Sequence, residues 1–244
     1  MIKYSIIMPF YKRSEQFRTT LISFDHHYAP YRNDYEIIIG EDLKNFQNPE
    51  EAEALRDIIE EYKGRINIVL NETYFPGVLN PCLSYNSCVK KSSGEFLVIT
   101  NPECFHKSNI LQALDGIFSC RDDIYVIFGC ESAVGCSKDI KKFEDFKYSH
   151  HMWYQHASYN NRMLHFCSAI SRKNYDKIEG FDENYRFGVA YDDDDFRNKV
   201  KAHNLPIFLD DNSYVVHIDH DRTFQADMSL IQINLDYYKK KWES

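Results

Sequence analysis

The chain holds no Cys-x-x-Cys pair; its seven cysteines (Cys82, Cys88, Cys104, Cys120, Cys130, Cys136 and Cys167) are odd in number and scattered. That spacing argues against a zinc site and a disulfide framework, and the expectation is reduced core thiols in a cytoplasmic protein. Basic residues are in deficit as well. A net charge of −8 and an isoelectric point near 5.7 argue against a general nucleic-acid binder. No apolar run approaches the roughly 20 residues that span a bilayer. Nothing before the first strand pattern resembles a secretory leader, so none is expected, and no repeat or low-complexity tract interrupts the 244 residues. The run Lys239-Lys240-Lys241 closes a helical pattern, where lysines complement the helix dipole. Weak peripheral membrane association is the one membrane role it leaves open.

What is present points to a single α/β domain. Hydrophobic residues at 43% and charged residues at 27% are those of a soluble globular chain, and the length suffices for one large core. The stretch Gly94 to Glu103 opens after Ser-Gly, runs through Phe96-Leu97-Val98-Ile99 and stops on Asn101-Pro102-Glu103. This reads as a buried parallel strand that delivers an amide, a rigid proline and a carboxylate to one edge of a sheet. In open α/β sheets ligands bind beyond the carboxyl ends of the strands. An ordinary Asn-Pro turn would leave the same ten letters, so the rest of the chain decides.

Before that strand, three others alternate with helices. Tyr4 to Phe10 is followed by a helix capped by Ser14 and faced by Phe17, Leu21 and Phe24. Tyr35 to Ile39 ends at Gly40-Glu41-Asp42 and precedes a helix with Leu55, Ile58, Ile59 and Tyr62 on one stripe, closed by Gly64. Ile66 to Leu70 leads to a helix over Pro81 to Ser93. The pattern is that of βαβ units and a parallel sheet. Beyond Glu103, Ser108 caps a helix carrying Leu111, Leu114 and Phe118, and Tyr125 to Phe128 is a strand. Residues 135–162 show no period and are rich in Lys, His, Tyr and Asn; they are a candidate lid or acceptor-binding loop containing Trp153, with a solvated surface excursion as the alternative. Leu164 to Ser171 returns to strand. A helix through Val200, a strand pair (Pro206 to Leu209, Ser213 to Ile218) and a helix from about Asp227 complete the chain; the last has Leu230, Ile231, Asn234, Leu235, Tyr238 and Trp242 as its inner face.

Four polar groups fall where α/β topology puts strand ends: Glu41-Asp42, Asn101 with Glu103, Asp192 to Asp195, and His217 with His220. Singly they are turn residues, a helix cap and a core histidine. Together they form oxygen and imidazole donors for a divalent ion, plus a spare carboxylate able to act as a base.

In this order the chain resembles the family 2 glycosyltransferases of the GT-A fold. The resemblance rests on Ile6-Ile7-Met8-Pro9-Phe10-Tyr11-Lys12-Arg13, on Ile38-Ile39-Gly40-Glu41-Asp42, and on Asn86 with Ser93-Gly94-Glu95. It continues through Asn101-Pro102-Glu103 at the D-x-D position, Gly180-Phe181-Asp182-Glu183, Tyr191-Asp192-Asp193-Asp194-Asp195-Phe196, and His217. It implies a Rossmann-like nucleotide-sugar-binding half over about residues 1–105, fused through a mixed central sheet to an acceptor-binding and catalytic half over about 106–244. The implied nucleotide contacts are Pro9, Phe10, Tyr11, Arg13, Glu41, Asp42, Asn86 and Asn101. The implied metal ligands for Mn²⁺ or Mg²⁺ are Glu103 and His217, with His220 as second choice. Asp193 is implied as catalytic base of an inverting transfer from a UDP-sugar to a glycan hydroxyl, with Asp192, Asp195, Tyr191 and Trp153 on the acceptor. Two departures stand out: Asn-Pro-Glu replaces D-x-D, removing one charge near the diphosphate, and Asp192 stands where Glu is usual.

Two other readings compete. A sugar-nucleotide nucleotidyltransferase calls for a Gly-rich loop after the first strand, which Pro9-Phe10-Tyr11-Lys12-Arg13 lacks. A catalytically silent nucleotide-sugar or glycan-binding subunit draws on Asn101 alone.

Overall fold

The computed structural model describes residues 2–42, 48–73, 75, 77–220 and 227–243. β1 (Tyr4–Phe10), β2 (Tyr35–Asp42), β3 (Ile68–Thr73) and β4 (Phe96–Thr100) pair in parallel in the spatial order β3-β2-β1-β4. The continuous apolar runs of β1, β2 and β4 are explained by burial on both sheet faces: Ile6, Ile7, Ile37, Ile38, Leu97 and Val98 are all fully enclosed. The crossover helices are α1 (Ser14–His27), α2 (Pro49–Tyr62) and α3 (Cys82–Lys91). α1 packs Phe17, Leu21 and Phe24 into one core cluster, and α3 packs Cys82, Tyr85, Cys88 and Val89 into a second. Gly94 lets β4 begin hard against β1. A Cβ there would stand 2.6 Å from the Ser5 amide nitrogen, a place that only glycine fills without a shift.

The second half extends the same sheet with strands of both directions: β6 and β9 run with the first four, β5, β7 and β8 against them. β5 (Cys104–His106), α4 (Ile110–Cys120), β6 (Tyr125–Val134), β7 (His150–Gln155), β8 (Cys167–Ser171), α5 (Arg172–Lys177), α6 (Asp192–Ala202), β9 (Ile207–His217) and α7 (Met228–Trp242) follow in order. β8 inserts antiparallel between β4 and β6, and β9 lies beside β6 and then β5. Among the described residues the result is one mixed nine-stranded sheet in a single α/β domain, as expected of a GT-A-like fold. All seven cysteines are free thiols, five of them buried. Among the described residues no helix is long and apolar enough to cross a membrane.

Several local expectations need correction. Ser14 is the first helical residue and not a cap; Arg13 holds the cap position with no side-chain bond, and Ser14 bonds Glu51 of α2 instead. The cap of α4 is Asn109, which accepts from the Gln112 amide, and not Ser108. β3 begins two residues later than the apolar run suggests. Residues 135–162 are not wholly irregular, because β7 pairs antiparallel with β6. The expected strand pair at 206–218 is one strand, β9. Its residues 211–213 bulge between the Phe128–Asp210 and Gly129–Tyr214 pairs.

α7 is held by charge rather than by an apolar stripe alone. Asp195, 1% exposed, receives the Trp242 indole N–H at 2.7 Å and the Tyr185 hydroxyl at 3.2 Å, and stands 2.8 Å from Lys241. Lys241 also reaches Asp182 at 2.6 Å. Removing one member of a buried, hydrogen-bonded ion pair strands the others. Asp195→Ala is therefore expected to lower unfolding free energy by about 2–4 kcal/mol, read from urea titration; a loss under about 0.5 kcal/mol, the scale of ordinary surface substitutions, would contradict this role.

Candidate active site

A cavity of about 340 Å³ lies beyond the carboxyl ends of β1, β2 and β4. Pro9, Phe10, Tyr11 and Arg13 come to it from β1 and its loop, Gly40 from β2, and Asn101, Pro102 and Glu103 from the end of β4. Phe75, Val78, Leu79 and Asn80 reach it from the loop before α3, and Asp192 and Asp193 from the first turn of α6. Two of the four sequence clusters, Asn101 with Glu103 and the Asp192–Asp193 pair, thus stand on the cavity wall.

At the end of β4, Asn101 accepts from the Tyr85 hydroxyl at 3.0 Å, and its amide points to Glu103 at 3.5 Å. Glu103 is buried, and its Oε1 stands 3.6 Å from His217 Nε2 and 3.7 Å from His220 Nε2. The register that places Cys104 opposite His217 brings them together. Burial pushes the Glu103 carboxyl up, but the His217 hydrogen bond and the fields of His217, His220 and Arg13 outweigh it and leave it below the usual range. An ionised carboxylate with two imidazoles, all donor atoms within 4.8 Å of one another, is a donor set suited to a borderline divalent ion. His220 stands as close as His217, so the two rank together. Neither imidazole is on the cavity wall; His220 faces a separate polar hollow of about 330 Å³ with Glu15, Lys138 and Asp219.

Across the cavity, Asp192 is buried and accepts from Asn80 at 2.8 Å. Burial, then the neighbouring Asp193 charge, push its carboxyl up to about 6. Asp193 is a third exposed, and its Oδ1 is 2.6 Å from Nδ1 of the buried His165, a short ion pair without the angle of a hydrogen bond. Burial would raise the Asp193 carboxyl, but His165, Arg162 and Arg197 bring it below the usual value. The adjacent acids therefore differ: one holds its proton toward neutrality and one is ionised throughout.

The Asp192 shift fixes the sign of a stability effect. Its pKa is raised above the unfolded value, so its contribution to stability is fully present below about pH 4 and is lost as pH rises through about 6. Asp192→Asn keeps the acceptor for Asn80 and removes the buried charge. The melting temperature of this variant relative to the native chain is expected to be higher at pH 8 than at pH 5. A difference that is independent of pH would contradict the buried-charge account.

Of the remaining sequence candidates, those whose side chains are described lie off the cavity wall. Glu41 is buried 3.5 Å from Arg56, its carboxyl pushed up by burial. Asn86 ties α3 to the Gly180–Glu183 turn through Phe181 and Glu183, and to α5 by accepting from the Tyr175 hydroxyl. Tyr191 takes a left-handed φ of 65° at the start of α6 and packs on Tyr238. Trp153, on β7, packs on His156 and Tyr214, and Asp195 is engaged with α7. Asp42 pairs through its backbone with Thr73; its side chain lies outside the described residues. Sequence reasoning missed Asn80 and His165. A lone histidine before a strand and an asparagine before a helix carry no spacing signal that would have marked them.

No protein-family model matches the chain, and no curated protein sequence matches it. Solved structures do. TarS 1-349 of S. aureus in complex with UDP-GlcNAc superposes with a TM-score of 0.64 at 15% identity, over 91% of this chain and 60% of that one. The same TarS fragment in complex with UDP gives 0.64 at 13% identity over 100% and 72%. The mannosyltransferase PcManGT from Pyrobaculum calidifontis in complex with GDP-Man and Mn²⁺ gives 0.62 at 16%, over 92% and 59%. The chain thus spans about 60% of the length of most of these structures. The fold is the mixed α/β fold of GT-A-like glycosyltransferases.

Proposed function

We propose that the protein is an inverting glycosyltransferase that moves a sugar from a nucleotide-diphosphate donor, a UDP-sugar in the first instance, to a glycan hydroxyl. One observation carries the reading: a single cavity at the sheet's carboxyl edge is bounded by the β1 loop and Glu103 on one side and by the Asp192–Asp193 pair on the other. The nucleotide side is Pro9, Phe10, Tyr11 and Arg13, with Asp42 proposed for the base and Asn101 for the diphosphate end.

Glu103, His217 and His220 would hold Mn²⁺ or Mg²⁺, which when bound neutralises charge developing on the diphosphate leaving group. Arg13, whose field reaches Glu103, adds positive charge on the same side and offsets the acid that Asn101 replaces. Asp193 is the proposed base. It is the more exposed of the two acids, is ionised at neutral pH, and faces the cavity where an acceptor hydroxyl would enter. One base and one displacement on the face opposite the leaving group invert the anomeric centre. Asp192, fixed by Asn80, is placed to orient the acceptor. Asp195, Tyr191, Asn86 and Glu41 support this arrangement from behind the wall.

Thermal denaturation with a panel of nucleotide sugars tests the reading. A ligand near 100 times its dissociation constant adds about 2.7 kcal/mol of apparent stability, so at least one donor is expected to raise the melting temperature by several degrees. No shift with any UDP-, GDP-, dTDP- or CMP-sugar would count against it.

A further inference from the structure

His165 has no part in the transfer as written, yet it is built into the site. It lies 7% exposed just before β8. The rings of Tyr85 at 5.3 Å, Phe181 at 5.2 Å and Phe196 at 6.5 Å surround it. An imidazole in such surroundings is expected to be neutral. Its Nδ1 instead meets a carboxylate oxygen of Asp193 at 2.6 Å, while Asp192 beside it is taken by Asn80. Adjacent carboxylates that share a site cannot both ionise freely, and without a cation one of them holds a proton. The buried imidazole forms an ion pair with Asp193, while Asp192, though its carboxylate lies within 4.8 Å of the ring nitrogen, is hydrogen-bonded to Asn80.

We propose that His165 is a positioning residue: by pairing with Asp193 alone, it orients that carboxylate toward the acceptor and makes Asp193, not Asp192, the bare acid of the pair. The proposal rests on the glycosyl-transfer reading for its effect on rate, but not for the pairing itself. The groups facing His165 are few. From α6 come Asp192 and Asp193, with the Arg197–Asp194 pair at 2.8 Å on the next turn. Arg162 lies upstream on the same segment, its carbonyl receiving Arg197. Tyr85 of α3 and Tyr125 of β6 are phenols that burial keeps uncharged. The fields of both carboxylates outweigh the burial of the imidazole and hold it above its ordinary value.

Two measurements on the full chain test this. The first needs no turnover: NMR titration of the labelled His165 ring in the native chain, in Asp193→Asn and in Asp192→Asn. The ring is expected to titrate above an ordinary imidazole, to fall by about one pH unit or more in Asp193→Asn, and to fall clearly less in Asp192→Asn. An ordinary titration, or equal falls in both variants, would overturn the pairing.

The second uses whichever of UDP-GlcNAc and GDP-mannose the native chain turns over. In His165→Gln, kcat at pH 7 is expected to drop about 10–100-fold, within the worth of a positioned base. Donor KM should hold within about twofold, and the acidic limb of the kcat profile should move up by about one unit. In His165→Ala, added imidazole is expected to restore part of the rate. A uniform loss with an unmoved limb and no rescue would reduce His165 to packing. A native chain that turns over no donor, with the titration as expected, would fault the transfer reading and leave the pairing standing.

Discussion

Asp193→Asn is expected to reduce sugar transfer by about 10²–10⁴-fold, the usual worth of a positioned general base. Donor affinity should remain near native, and the melting temperature should fall by only a few degrees, as the buried His165 loses its paired carboxylate. The loss is specific because asparagine keeps the shape and one carbonyl acceptor but cannot take a proton from the attacking hydroxyl. If the acidic first turn of α6 served only the helix, Asp193→Asn would cost at most about 1 kcal/mol of stability and little rate, since asparagine serves a helix N-terminus as well as aspartate. Asp192→Asn is the control: Asn80 retains its partner, so the loss there should be smaller and should show in acceptor KM. Equal activity in both variants would remove Asp193 from the mechanism.

The second large effect concerns the divalent ion. Replacing even residues that only support a metal ligand costs 10–100-fold in affinity. Glu103→Gln, which removes the sole carboxylate from the Glu103, His217 and His220 set, is expected to weaken Mn²⁺ binding by at least about 100-fold. His217→Ala and His220→Ala should each weaken it too, because both imidazoles stand at nearly equal distance from Glu103. Calorimetric titration of Mn²⁺ with UDP present reads this directly, apart from any assay of transfer. Native affinity in Glu103→Gln, or full activity in excess EDTA, would leave Arg13 and its neighbours to neutralise the leaving group alone.

How much of this was legible in the letters follows from where each residue draws its constraints. β1, β2 and β4 are enclosed on both faces, so their apolar runs are unbroken and readable. β7, His-His-Met-Trp-Tyr-Gln, is largely exposed on an outer strand, and its mixed composition hides it. Glu103 and the Asp192–Asp193 pair could be placed because strand ends and helix starts are local signals. The approach of His217 to Glu103 depends on the β5–β9 register across more than a hundred residues, which no spacing encodes. Asp195 shows the same limit from the other side. In sequence it is one of four equal acids, but its partners Trp242 and Lys241 come from α7, and only the packed chain separates it from Asp193.

The claim that the cavity carries out sugar transfer, and does not merely bind a nucleotide sugar, is tested most directly by following nucleoside diphosphate release from each stabilising donor. Native protein and Asp193→Asn would be compared with Mn²⁺ and a mixture of glycan acceptors. The account predicts release by the native chain that depends on acceptor, and release about 10²–10⁴-fold slower in the variant. Tight donor binding with no release by the native chain above the uncatalysed rate would contradict it and identify the protein as a silent nucleotide-sugar-binding subunit.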